Sequence, residues 1–123
     1  MAIKTVKERT DRSHIHCPVA YTLSIIGGKW HLPVIWSLRQ KGVLRYNELR
    51  REVEGITTIM LTQTLKDLEQ LGLVARVQYN EVPPRVEYSL TEEGLSLLPA
   101  LAELAKWGRR RMEQDGLSDT QAQ

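Results

Sequence analysis

Two adjacent prolines stand between two runs of β-forming residues, and few folds accommodate that. In "LVARVQYNEVPPRVEYSLT", Leu73, Ala75, Val77 and Tyr79 alternate with Val74, Arg76, Gln78 and Asn80, and Val86, Tyr88 and Leu90 fall on one face of the second run. Pro83 and Pro84 supply no backbone N–H and lock φ, so neither can lie inside a sheet. The segment must be a hairpin with a stiff, projecting tip, and Arg85 sits beside that tip.

What precedes the hairpin has helical spacing. Pro18 opens a segment that Gly27 and Gly28 stop, with Val19, Leu23 and Ile26 at i, i+4, i+7. Leu32, Ile35, Trp36 and Leu38 mark a second helix; Pro33 requires it to start near Lys29 or Trp30, and Gly42 ends it. Residues 43–46 read as a short extended piece. Asn47 is a candidate cap for a third helix, with Leu49 and Val53 inward and Gly55 as its stop. The strongest pattern is Leu61, Leu65 and Leu68, with Thr57 or Thr58 as cap and Gly72 as stop. After the hairpin, Thr91 caps a last long helix, "EEGLSLLPALAELAKWGRRRM", which Pro99 is expected to bend. A short helix, a tight glycine turn, a capped helix and a hairpin make a winged helix-turn-helix: mainly α with a small β-hairpin. Residues 17–113 are expected to form this domain, between a flexible arm at 1–16 and a disordered tail at 114–123.

The chain of 123 residues fits one domain. Its lone cysteine, Cys17, rules out an internal disulfide and a cysteine-rich zinc module, and agrees with a reducing, cytoplasmic setting. No apolar run approaches the roughly 20 residues of a membrane helix, so no membrane partner is expected. The charged start shows no secretory signal. Net charge is only +2, yet Lys29 to Arg51 holds six basic residues against Glu48 alone, while the chain beyond Arg51 carries seven basic and twelve acidic residues. A basic block in a nearly neutral chain suits a polyanion such as double-stranded DNA.

The segments "IGGKW", "RYNELRR", "MLTQTLKDLEQLGLV" and "VPPRVEYSLTEEG", in this order, resemble the HxlR-type winged-helix transcription regulators, relatives of the MarR family. The similarity runs from about Cys17 to Trp107. It implies a cytoplasmic, homodimeric, sequence-specific DNA-binding repressor or activator; an inverted-repeat operator is expected, and no cofactor, metal or enzymatic activity.

In that architecture the Leu61–Leu65–Leu68 helix reads the major groove. Ile59, Thr62, Gln63 and Lys66 lie opposite its apolar stripe. Gln63 suits a bidentate contact to adenine, and Thr57, Thr58 and Thr62 can donate to phosphate. Ile59 stands where members of the family often carry a basic residue, and is suited either to a thymine methyl or to simple packing. Arg45, Arg50 and Arg51 are phosphate-clamp candidates on the preceding helix. The prolines hold Arg85 near the wing tip, where arginine suits a narrow minor groove.

Cys17 precedes Pro18 at a helix start, a position that favours thiolate, and some members of the family sense oxidants or electrophiles there; it is the redox candidate. His14, His16, Cys17 and His31 fit no standard metal spacing. Val19, Leu23 and Ile26, with Leu98, Leu101, Leu104 and Trp107 of the last helix, exceed what one small core needs and are the expected dimer interface. The alternative is a winged-helix module that binds an acidic protein partner without sequence-specific DNA binding. A small cysteine or metal enzyme fits poorly, because the sequence displays no nucleophile–base pair or phosphate loop.

Overall fold

The computed structural model describes residues 11–119. Its helices are α1 (Pro18–Ile26), α2 (His31–Lys41), α3 (Tyr46–Glu52), α4 (Thr58–Gln70), α5 (Glu92–Ser96) and α6 (Leu98–Gln114). Three strands, β1 (Val43–Arg45), β2 (Val74–Tyr79) and β3 (Arg85–Leu90), form one antiparallel sheet in the order β1-β3-β2. The expected two-stranded hairpin is thus a three-stranded sheet. Residues 43–45 pair Val43 with Ser89, Leu44 with Tyr88 and Arg45 with Glu87.

The core gathers one face of each element. Val34, Ile35 and Leu38 of α2, Leu44, Leu49, Val53, the α4 stripe Leu61, Leu65 and Leu68, and Val74 and Tyr88 of the sheet are all buried. Each of the larger ones contributes roughly 1.5–3 kcal/mol by leaving water. Thr57 caps α4, its Oγ1 accepting from the Met60 N–H at 3.1 Å. The far end closes at Gly72, whose φ of 76° needs no Cβ in the way. There the Leu73 N–H bonds the Leu68 carbonyl and the Gly72 N–H the Glu69 carbonyl, satisfying carbonyls the helix leaves open.

Three sequence expectations differ from the fold. Asn47 caps nothing: α3 starts one residue earlier, and Glu48 Oε1 accepts from the Arg45 N–H at 2.9 Å. The carboxylate reaches back to the N–H of the capping residue, whereas a capping asparagine would accept from an N–H inside the first turn. The last helix does not bend at Pro99 but breaks before it, into α5 and α6. The proline ring collides with the carbonyl four residues back, so the chain starts a new helix with Pro99 in its first turn. In β2 the alternating Ala75, Val77 and Tyr79 face away from the core. They pair with Ser89, Glu87 and Arg85, while Val74 and Arg76 share the face of Leu90 and Tyr88. β2 is an edge strand whose residues 76–79 are exposed, so an apolar alternation along its outer part meets water on both sides.

The hairpin base is locked to α5. The Thr91 hydroxyl donates to the Gly72 carbonyl at 2.6 Å, and its N–H donates to the Leu73 carbonyl at 3.1 Å. Gly94 lies so close beneath that an added Cβ would stand 2.2 Å from the Leu73 oxygen. Of the arm and tail, residues 1–10 and 120–123 lie outside the described residues. The tail segment that is described returns along α6, where Arg109 Nε donates to Asp119 Oδ2 at 2.6 Å. Among the described residues no helix is long and apolar enough to cross a membrane.

Candidate nucleic-acid interface

α4 buries Leu61, Thr64, Leu65 and Leu68 and leaves the rest of its first turns open. Thr57, Thr58, Ile59, Thr62, Gln63 and Lys66 are all exposed, and Ile59 keeps 80% of its surface. An isoleucine so bare contributes nothing to the core of this chain. Gln63, the proposed reader, is not covered; its Nε2 donates to Asp67 Oδ1 at 3.1 Å, one turn along the same helix.

Tyr46 braces the start of α4. Its hydroxyl donates to the Thr58 carbonyl at 2.9 Å and lies 2.8 Å from Thr62 Oγ1. A phenol has one proton, so Thr62 must donate to Tyr46. The expected donation from Thr62 to phosphate therefore gives way to an acceptor lone pair, while Thr57 and Thr58 keep their hydroxyl protons. Sequence reading missed Tyr46 because nothing in a linear pattern pairs positions twelve and sixteen apart. It missed Asp67 as well, although the i, i+4 spacing from Gln63 was a usable signal.

Arg45, Arg50 and Arg51 are exposed and make no ion pair among the described residues. Arg45 and Arg51 border an open groove of about 750 Å³ between α3 and the wing, with Asn47, Pro84 and Arg85 on its other sides. Lys41 is neutralised by Glu52 at 3.1 Å, and Arg39 lies flat on Trp36 at 3.7 Å, where burial and then the charge of Arg109 lower its pKa.

Arg85 differs from the expectation of a free arginine near the tip. It begins β3, stacks on Tyr79 at 4.1 Å and lies 3.3 Å from Glu81 and 3.4 Å from Glu87. The tip itself is Val82, fully exposed. Arg85 thus ties the two sides of the wing together.

Of the residues expected at a dimer interface, Val19, Leu23, Leu104 and Trp107 are exposed and Leu98 is half-buried. Ile26 and Leu101 belong to the core of the single chain instead, at 5% and 6% exposure. Helix periodicity put them on the right stripes but cannot say which end of a stripe turns inward. Of α1, Ile25 and Ile26 pack on the hydrophobic core. Beside α6, Trp30, Pro33, Trp36, Val53, Leu101 and Leu104 line an apolar groove of about 450 Å³. Cys17 is a free, exposed thiol at the α1 start, and among the described residues no cluster of His, Cys, Asp and Glu could hold a metal ion.

The HxlR-like helix-turn-helix family model matches residues 25–116. The HTH-type transcriptional regulator YkvN of Bacillus subtilis (strain 168) is 50% identical over 99 residues, covering 80% of this chain and 83% of its own. Among solved structures, the redox regulator HypR in its oxidized form superposes with a TM-score of 0.71 at 46% identity, covering 76% of this chain and 96% of that one. The reduced form of the transcriptional regulator YodB from B. subtilis has a TM-score of 0.66 at 32% identity, with 78% and 94% covered.

Proposed function

The chain belongs to the HxlR-like helix-turn-helix family of transcriptional regulators, and from that premise we propose that it binds operator DNA in a sequence-specific manner as a cytoplasmic homodimer. The observation that carries this reading is the bare first half of α4, flanked by three arginines that make no ion pair among the described residues. Ile59 and Gln63 gain nothing for the fold by their exposure, and they occupy the positions a helix offers to base edges. Arg45, Arg50 and Arg51 grip the phosphates on either side. Arg85, half-buried between Glu81 and Glu87, joins them by exchanging carboxylates for phosphate. Two copies joined through α1 and α6 bring two α4 helices to successive grooves, roughly 10–10.5 bp or a multiple apart.

The test is duplex binding measured across a range of salt. Wild-type affinity should fall steeply with salt, and each of Arg45→Ala, Arg50→Ala and Arg51→Ala should lower the log–log slope by about 0.9. Binding indifferent to salt and to these substitutions would overturn the reading.

Cys17 supplies the switch. HypR and YodB are described as a redox regulator and as a protein with a reduced form, and the exposed thiol here is open to an oxidant or electrophile. Diamide should weaken DNA binding by the wild type and leave Cys17→Ser unaffected; equal responses would remove Cys17 from the switch.

A further inference from the structure

Gln63 does not stand alone on α4. Asp67 accepts from its amide through Oδ1 at 3.1 Å and turns its other oxygen, Oδ2, to His31 Nε2 at 3.5 Å. His31 opens α2, a different element, and only 17% of its side chain is exposed. Its ring is wedged against Gly28, where an added Cβ would stand 2.4 Å from Nδ1, and Nδ1 itself has no hydrogen-bond partner among the described residues. The imidazole is therefore held by shape on one side and by Asp67 on the other.

The chemistry of the three groups sets the amide. A carboxylate only accepts, so Gln63 must turn its NH₂ group, not its carbonyl, toward Asp67. One N–H is spent there. With Asp67 on the N–H that points away from Oε1, the other N–H and Oε1 lie side by side on the amide, a donor and an acceptor in fixed order. Adenine offers the matching acceptor and donor at N7 and N6 in the major groove. Without Asp67 the amide could flip and offer the reverse order. We infer that Asp67, backed by His31, is a positioning residue that fixes the Gln63 amide for reading adenine. This rests on the assignment of α4 as the base-reading helix.

The experiment is selection of bound sequences from a random duplex pool. Wild type should enrich an A·T pair in each half-site, and Gln63→Ala should lose that preference. Asp67→Ala and His31→Ala should each weaken it about 5–10-fold while leaving other positions unchanged. His31→Gln, which keeps an N–H donor at similar reach, should retain it. In the Gln63→Ala background, Asp67→Ala should add nothing, and in the free protein it should shift the Gln63 side-chain amide resonances. An unaltered preference in both alanine variants, or a loss spread evenly over every position, would overturn the positioning role. A wild-type pool that enriches no sequence would instead overturn the DNA reading itself. A preference that survives Gln63→Ala would remove Gln63 as the reader.

Discussion

Single side chains decide how the exposed end of α4 is presented. Tyr46 is the clearest case, because its phenol ties Thr58 and Thr62 to the start of α3. Tyr46→Phe keeps the ring and removes the bridge, so stability should fall by about 1 kcal/mol, read as a lowered midpoint in urea. DNA affinity should change as well, since Thr62 regains a free hydroxyl proton. The exposed residues of α4 were legible in the sequence because burial of Leu61, Leu65 and Leu68 forces the remaining positions outward. The braces Tyr46 and His31 were not, because each depends on a distance between side chains rather than on a period; Asp67 stood at a readable i, i+4 spacing from Gln63.

At the scale of elements, caps and stops were mostly legible and partners were not. Thr57 and Gly72 close α4 as their residue types require. The seat of the wing is different, for it rests on the approach of α5 to Leu73, which no local pattern records. Gly94→Ala should push α5 off the hairpin base, costing about 1–3 kcal/mol by overpacking, and should lower the thermal midpoint while helix content persists. Arg85 teaches the same lesson. Its place next to two prolines was visible in the sequence, and so was Glu87 two residues on along the same strand, but Tyr79 meets it because β2 and β3 pair with Tyr79 opposite Arg85.

For the whole molecule, the apolar residues left outside are as telling as those inside. Val19, Leu23, Leu104 and Trp107 are each more than half exposed on the helices at the two ends of the fold. Leu23→Glu with Leu104→Glu should convert a dimer into a monomer of about 14 kDa by sedimentation, and DNA affinity should drop at least tenfold through loss of the second half-site. A chain already monomeric before substitution would contradict this. Taken by itself, the sequence determined the order of elements, the buried stripe of α4 and the stiff hairpin, because hydrophobic spacing, glycine and proline act locally and without reference to the rest of the chain. Only the tertiary structure decided that Ile26 and Leu101 turn inward, that Tyr46 braces the start of α4, and that His31 meets Asp67 beside Gln63. Those outcomes depend on which surfaces meet across the fold, and hydrogen bonds a few ångströms long join residues that the linear order holds far apart.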